Sequence, residues 1–351
     1  MQSRRLKYID IARGIAIILI VLGHTITYSQ NCRTIYKIIY SFHVALFFVI
    51  SGYTYKIKIK EKFSTFFKRK FIRIMIPYYI WAFLFIIPFL IFGSSTGDAI
   101  GASYSSLELK KIIFNVFYAN GNLFALKQNS ALWFLPSLFS MEIIYYFIIK
   151  KSDGNKKLVL LLLLLEIFIS LISYKFLKFV FPFGINTCLH LGIFYHIGYL
   201  MRKNNILDLS YFKNILIFGI ITFLGIIFAL LNYRVVSAID YAYGNLYLAF
   251  FSGIFLSLSI FMISIKIRKN VLLEYVGRNT MGILIFHKLI IVIMQSKLGI
   301  ISALLKNSNI FIEFMISLIV TAIAIIFSLI VNKIIKSIFP VAVGEKINNS
   351  L

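Results

Sequence analysis

Apolar stretches of membrane-spanning length recur along the whole chain, and they constrain its fold more than any other feature. Runs such as LVLLLLLLEIFISLIS, from Leu158 to Ser173, match a bilayer core about 30 Å thick, which roughly 20 apolar residues cross as a helix. With 60% hydrophobic and only 14% charged residues, the chain has too little polar surface to cover a soluble core. The sequence therefore predicts an all-α polytopic membrane protein.

About ten apolar segments can be drawn, near Ile9–Tyr28, Ile35–Tyr55, Ile74–Phe92, Ser130–Ile149, Leu158–Tyr174, Gly184–Met201, Ile215–Leu231, Asn245–Ile265, Asn279–Met294 and Ile310–Ile330. Charge tests the count, because cytoplasmic loops collect Lys and Arg. With both termini inside, the inner segments hold 25 of the 37 Lys and Arg residues, and Lys288 is counted with the outer ones. Adding or removing one helix would put the later basic loops on the wrong side. The net charge of +25 is thus read as topology and not as a nucleic-acid footprint. The first segment begins with Arg4, Arg5 and Lys7, but it is too long for a signal peptide and no small-x-small site follows. The expected organisation is one transmembrane domain over residues 1–338, with a short cytoplasmic tail at 339–351. A piece of the long outer loop, LELKKIIFNVFYANG, reads as a helix lying at the interface. Cys32 and Cys188 are too few and too far apart for a framework and are expected to be free thiols. No spacing supports a metal site.

The first segment, YIDIARGIAIILIVLGHT, carries an acid, a guanidinium and an imidazole. Asp10 and Arg13 are neighbours at i,i+3. Eleven residues separate Arg13 from His24, about three helical turns and about 16 Å, so all three share one face. Such a stripe is expected to face the bundle interior or a wet cavity. Arg13 has two readings: a cation snorkelling to the interface with Asp10 beside it, or a functional group. His24 is either a packing residue or a general base. Intramembrane ionisable groups are costly and favour function, and imidazole titrates near neutrality. In the second segment His43 lies in the outer half, at the depth of His24, with Ser51 and Gly52 further in. Arg69, Lys70 and Arg73 precede the third, where they serve either topology or a phosphate clamp.

These residues resemble the acyltransferase-3 family of bacterial multi-helix membrane O-acyltransferases acting on surface glycans. The likeness is carried by the series ID-x-x-R-G to His24, by FHVALFFVISGY, KRKFIRIMIPYY and ALWFLPSLF, and by EYVGRNTMGILIFHKLI with Gly277, Asn279, Thr280 and His287. The last segment looks like the fucose 4-O-acetylase-like branch. The resemblance implies His24 as catalytic base and Arg13 on the acyl-donor path. Arg69 and Arg73 align approximately with a cytoplasmic arginine motif, although the strict R-x-x-R spacing here begins at Lys70. The donor is expected to be acetyl-CoA, whose phosphates meet Arg13, Arg69, Lys70 and Arg73. The expected acceptor is a glycan or a lipid-linked glycan in the bacterial cytoplasmic membrane, with other glycan-assembly proteins as partners and no nucleic acid. Many relatives add an extracytoplasmic esterase-like domain, and the 351 residues read here contain none.

Ser51, Trp133, Asn279 and Thr280 are candidate donors to the oxyanion that acyl transfer creates. His43 and His287 are candidates for supporting the base or binding the acceptor. Trp133 fits an interfacial aromatic belt equally well. Glu142 and Glu166 each call for a cation, and Glu166 is read as structural. His190 and His196 are read as packing residues. A transporter or flippase would use the same buried charges, but the inverted repeats expected of one are not evident. A scaffold would need none of these groups for chemistry.

Overall fold

In the computed structural model, residues 6–56, 61–87, 106–119, 126, 129–152, 155–176, 181–208, 214–296, 301, 304 and 308–345 are described. Fourteen α-helices occur among them. The first seven are α1 (Lys7–Ile26), α2 (Arg33–Tyr40), α3 (His43–Tyr53), α4 (Phe63–Lys70), α5 (Ile76–Leu84), α6 (Ser106–Tyr118) and α7 (Phe134–Ser152). The rest are α8 (Lys156–Phe176), α9 (Ile185–Lys203), α10 (Ile215–Leu231), α11 (Leu246–Ile267), α12 (Val271–Arg278), α13 (Thr280–Ser296) and α14 (Ile310–Ile338). Among the described residues the only β pairing is one isolated bridge, Ser237 with Ala242.

The all-α expectation holds, and the chain has membrane-capable helices. Among the described residues five spans pass on length and apolarity: Lys7–Ile26, Arg33–Tyr53, Ser130–Ser152, Leu246–Ile267 and Ile310–Ile338. A sixth passes if α12 and α13, bent by 82° at Asn279, are counted together. Helix also occurs in each of the other apolar segments. Three details depart from uniform spans. The second segment breaks at Ser41 and Phe42, so that His43 opens a new helix. Five residues, Phe71–Met75, form a π-helical stretch between α4 and α5. Lys288 lies inside α13 and not in a loop.

Asparagine opens helix after helix. The side chains of Asn214, Asn245, Asn270 and Asn309 accept from backbone N–H groups in the first turns of α10, α11, α12 and α14. Each such cap contributes about 1 kcal/mol and marks where an apolar run begins to wind.

Helix α1 is central, packing on α3, α11, α12, α13 and α14. Its approach to α12 depends on two glycines. A Cβ on Gly14 would land on the Leu273 carbonyl oxygen, and one on Gly277 on the Asp10 carbonyl oxygen. Small residues that let backbones touch are the usual means of helix association where lipid weakens the hydrophobic effect. The expected tail is partly built in: Pro340–Val343 forms a 3₁₀ turn, Ala342 and Val343 are buried, and the Trp81 indole donates to the Ala342 carbonyl at 2.7 Å.

Candidate active site

His24 lies two residues before the end of α1, and α2, α3 and α13 bring three more rings to it. The Tyr40 hydroxyl is 3.2 Å from His24 Nδ1. The His287 ring stacks on His24 with centroids 5.3 Å apart and planes 25° apart. His43 reaches the same group through Tyr40, with centroids 4.6 Å apart. Two of these imidazoles have their tautomer fixed by the backbone carbonyl four residues earlier. His43 Nδ1 lies 2.9 Å from the Ile39 carbonyl and His287 Nδ1 lies 2.7 Å from the Ile283 carbonyl. A carbonyl can only accept, so Nδ1 carries the proton and Nε2 of the neutral ring keeps its lone pair. His287 Nε2 is buried with no hydrogen-bond partner among the described residues.

A cavity of about 120 Å³ adjoins these rings. His24, Tyr40, Ser41 and His43 form its polar wall, and Ser130 and Trp133 lie at its edge. Much of the remaining lining is hydrocarbon, including Ala45, Leu191, Phe194, Ala249 and Phe250. The loop between α10 and α11 completes the lining through Val236, Ser237, Ala238, Ile239 and Tyr243. One amide holds that loop: Asn232 donates to the Tyr243 carbonyl at 2.8 Å and accepts from the Asn245 N–H at 2.9 Å. His190 supports it from beneath, stacked 4.8 Å from Tyr243. Asn129, fully buried, donates to the Ile285 carbonyl at 2.7 Å and so ties the segment leading to Trp133 to α13.

The other end of α1 carries the cations. Arg13 donates to Thr54 Oγ1 at 3.1 Å and lies 4.0 Å from Asp10. Beside it, Tyr8 and Tyr53 share a 2.7 Å hydroxyl contact. The guanidinium of Arg202 lies over the Tyr53 ring at 5.5 Å and donates to its hydroxyl at 3.4 Å. Arg69 makes a forked ion pair with Glu61, with contacts of 2.9 and 3.1 Å from Nη2. Lys70 pairs with Glu142 at 2.7 Å. Arg73 is exposed, with no hydrogen bond or ion pair among the described residues.

The family model described as an acyltransferase domain matches residues 6–333 of the 351. The chain belongs to the acyltransferase-3 family. It is therefore a membrane acyltransferase. No curated protein and no solved structure matches it.

Within this acyltransferase-3 protein the residues picked from sequence divide into three groups. His24, His43, His287 and Trp133 are gathered at or beside one cavity. Asp10 and Arg13 form the opposite end of the same helix, and the Arg73 side chain is exposed. Arg69, Lys70 and Glu142 are committed to ion pairs, which supplies the cation that Glu142 called for. Ser51, Asn279 and Thr280 are not brought to His24. Ser51 is eight residues along α3 from His43, about 12 Å. Asn279 and Thr280 are a similar distance before His287. Asn279 has other work, donating to the Tyr275 carbonyl at 2.8 Å and accepting from Asn332 at 2.9 Å across the α12–α13 bend.

Sequence reasoning missed Tyr40 and Arg202. Tyr40 lies three residues before His43, a spacing that could have flagged it. Arg202 reads as one more inner-loop cation. Cys32 and Cys188 are both free and buried, and His196 pairs with the Tyr145 hydroxyl at 2.7 Å.

Proposed function

We propose that this membrane acyltransferase moves an acetyl group from acetyl-CoA to a sugar hydroxyl of a cell-surface polysaccharide or its lipid-linked precursor, with His24 as general base. The reading places the chain in a bacterial cytoplasmic membrane as one domain over residues 1–338 with about ten spans and both termini inside. The fucose 4-O-acetylase-like branch is the preferred relative, on the strength of the G-R-N-T segment and His287.

One observation carries the chemistry: a cavity walled by His24 lies at one end of a helix whose other end bears Arg13. Coenzyme A is anionic and made in the cytoplasm, so its phosphates suit the Arg13 end. Arg73, with no acid paired to it among the described residues, and Arg202, beside Tyr53, join Arg13 there as phosphate ligands. Arg69 and Lys70, expected from the sequence as ligands too, are held by Glu61 and Glu142.

At the His24 end the acceptor oxygen bonds to the acyl carbonyl carbon while its proton passes to the imidazole. The carbon–sulfur bond then breaks, and the thiolate of coenzyme A takes that proton. When Nδ1–H of His24 donates to the Tyr40 oxygen, Nε2 carries the lone pair that accepts the proton. Tyr40 then fixes the tautomer and the ring plane. The partners that follow are the glycan acceptor, membrane lipid and other glycan-assembly proteins. No metal is required.

The test compares surface glycan from deletion, wild-type and His24→Ala cells by proton NMR, with membrane protein levels matched by immunoblot. Base-labile O-acyl signals are expected only where both the gene and His24 are intact. Signals that persist in His24→Ala cells would remove His24 from the mechanism.

A further inference from the structure

The lining of the cavity beside His24 is mixed, and its apolar part offers a sugar hydroxyl no partner. Sugar hydroxyls need donors and acceptors, and a wall of hydrocarbon leaves them unpaired. Ala45 from α3, Leu191 and Phe194 from α9, and Ala249 and Phe250 from α11 offer carbon alone. Phe194 belongs to this part. It is buried, meets Phe250 edge to face at 5.9 Å, and leans on Gly253. A Cβ added at Gly253 would come within 2.7 Å of the Phe194 ring. The ring can therefore hold its present position only because residue 253 has no side chain.

We infer that this apolar part is the pocket for the acyl chain of the donor, and that the Phe194–Gly253 contact sets the chain length it accepts. The inference rests on the acyl-CoA reading above and deepens it. The scale is that of a short chain. A dry cavity of about 150 Å³ in another protein just holds a six-carbon ring, and the volume here is about 120 Å³. Acyl groups of about two to four carbons fit, and longer ones meet Phe194.

The two partners give changes of opposite sign. Phe194→Ala removes the end wall and lengthens the accepted chain. Gly253→Ala drives the ring into the cavity and shortens it. The test uses the full-length protein in lipid nanodiscs with non-hydrolysable thioether analogues of straight-chain acyl-CoA, from acetyl to octanoyl. Affinity is read by titration calorimetry. In the wild type each added methylene is expected to tighten binding about fourfold up to a limit, beyond which binding falls. That limit is expected to rise by about three to four carbons in Phe194→Ala and to fall by at least one in Gly253→Ala. A variant that is merely misfolded weakens the whole series together and leaves the limit where it was. An unmoved limit in both variants, or shifts of the same sign, overturns the pocket assignment while leaving the donor reading intact. If the wild type binds no analogue at all, the acyl-CoA reading and the pocket fall together.

Discussion

At the Arg13 end of the central helix the cations are answered by acids: Asp10 beside Arg13, Glu61 on Arg69, Glu142 on Lys70. At the His24 end three imidazoles and a phenol meet, and none of their recorded hydrogen bonds goes to a carboxylate. The first region pairs most of its charges, within α1, beside α4 and between α4 and α7, leaving Arg73 outside the pairing. The second keeps lone pairs beside a cavity. The contrast separates groups that hold the fold from groups free to act, a distinction that residue type alone does not make.

The largest effect that would break this comparison is at the proposed base. His24→Ala is expected to lower transfer by about 10²- to 10⁴-fold, measured as acyl group incorporated per mole of membrane enzyme. Next comes the ion pair. Lys70→Met leaves Glu142 buried without its cation and is expected to cost about 3–5 kcal/mol, seen as a fall in Tm. The double variant Lys70→Met/Glu142→Leu should recover most of that loss. If Lys70→Met instead leaves Tm unchanged and raises the KM for acyl-CoA, Lys70 belongs with the donor ligands after all.

Smaller effects sharpen the comparison. Tyr40→Phe keeps the ring against His43 but removes the hydroxyl at His24. A hydrogen bond contributes about 0.5–1.5 kcal/mol, so kcat should fall roughly two- to tenfold with Tm unchanged. Arg73→Ala is expected to raise the KM for acyl-CoA by a few-fold at constant kcat, the pattern of a lost binding contact. Arg69→Ala should do least. Its side chain is 41% exposed, and exposed pairs contribute about 0.2–1 kcal/mol, readable only as a small shift in Tm.

Much of the fold was legible because lipid permits few answers. Long apolar runs wind into helices wherever they occur, and the polar stripe Asp10, Arg13, His24 was visible from spacing. The interruptions were not legible. The break at Ser41 and Phe42 has no proline or glycine to announce it, and although Pro77 follows the π-helical stretch at Phe71–Met75 and Gly277 precedes the bend at Asn279, neither residue says which distortion results. These distortions arise from neighbours, such as Asn332 reaching Asn279 from another helix. At the site, His24 and His43 were found because imidazole is conspicuous in lipid-facing sequence. The distance of Ser51 from His43 could have been counted, whereas the engagement of Lys70 by Glu142, seventy-two positions away, could not. The α10–α11 loop looked like an ordinary outer connection, and only its closure through Asn232 reveals that it lines the cavity.

The glycine contact between α1 and α12 has a consequence for scale. With Gly14 and Gly277 backbone to backbone, the first helix has no room to slide or swell, and its functional ends stay about 16 Å apart. A strut of fixed length is also a ruler. Any molecule that holds Arg13 and His24 at once must match that span, so a cut-down donor has to choose an end. Length would then be discriminated twice, by the helix for the carrier arm and by the cavity for its cargo.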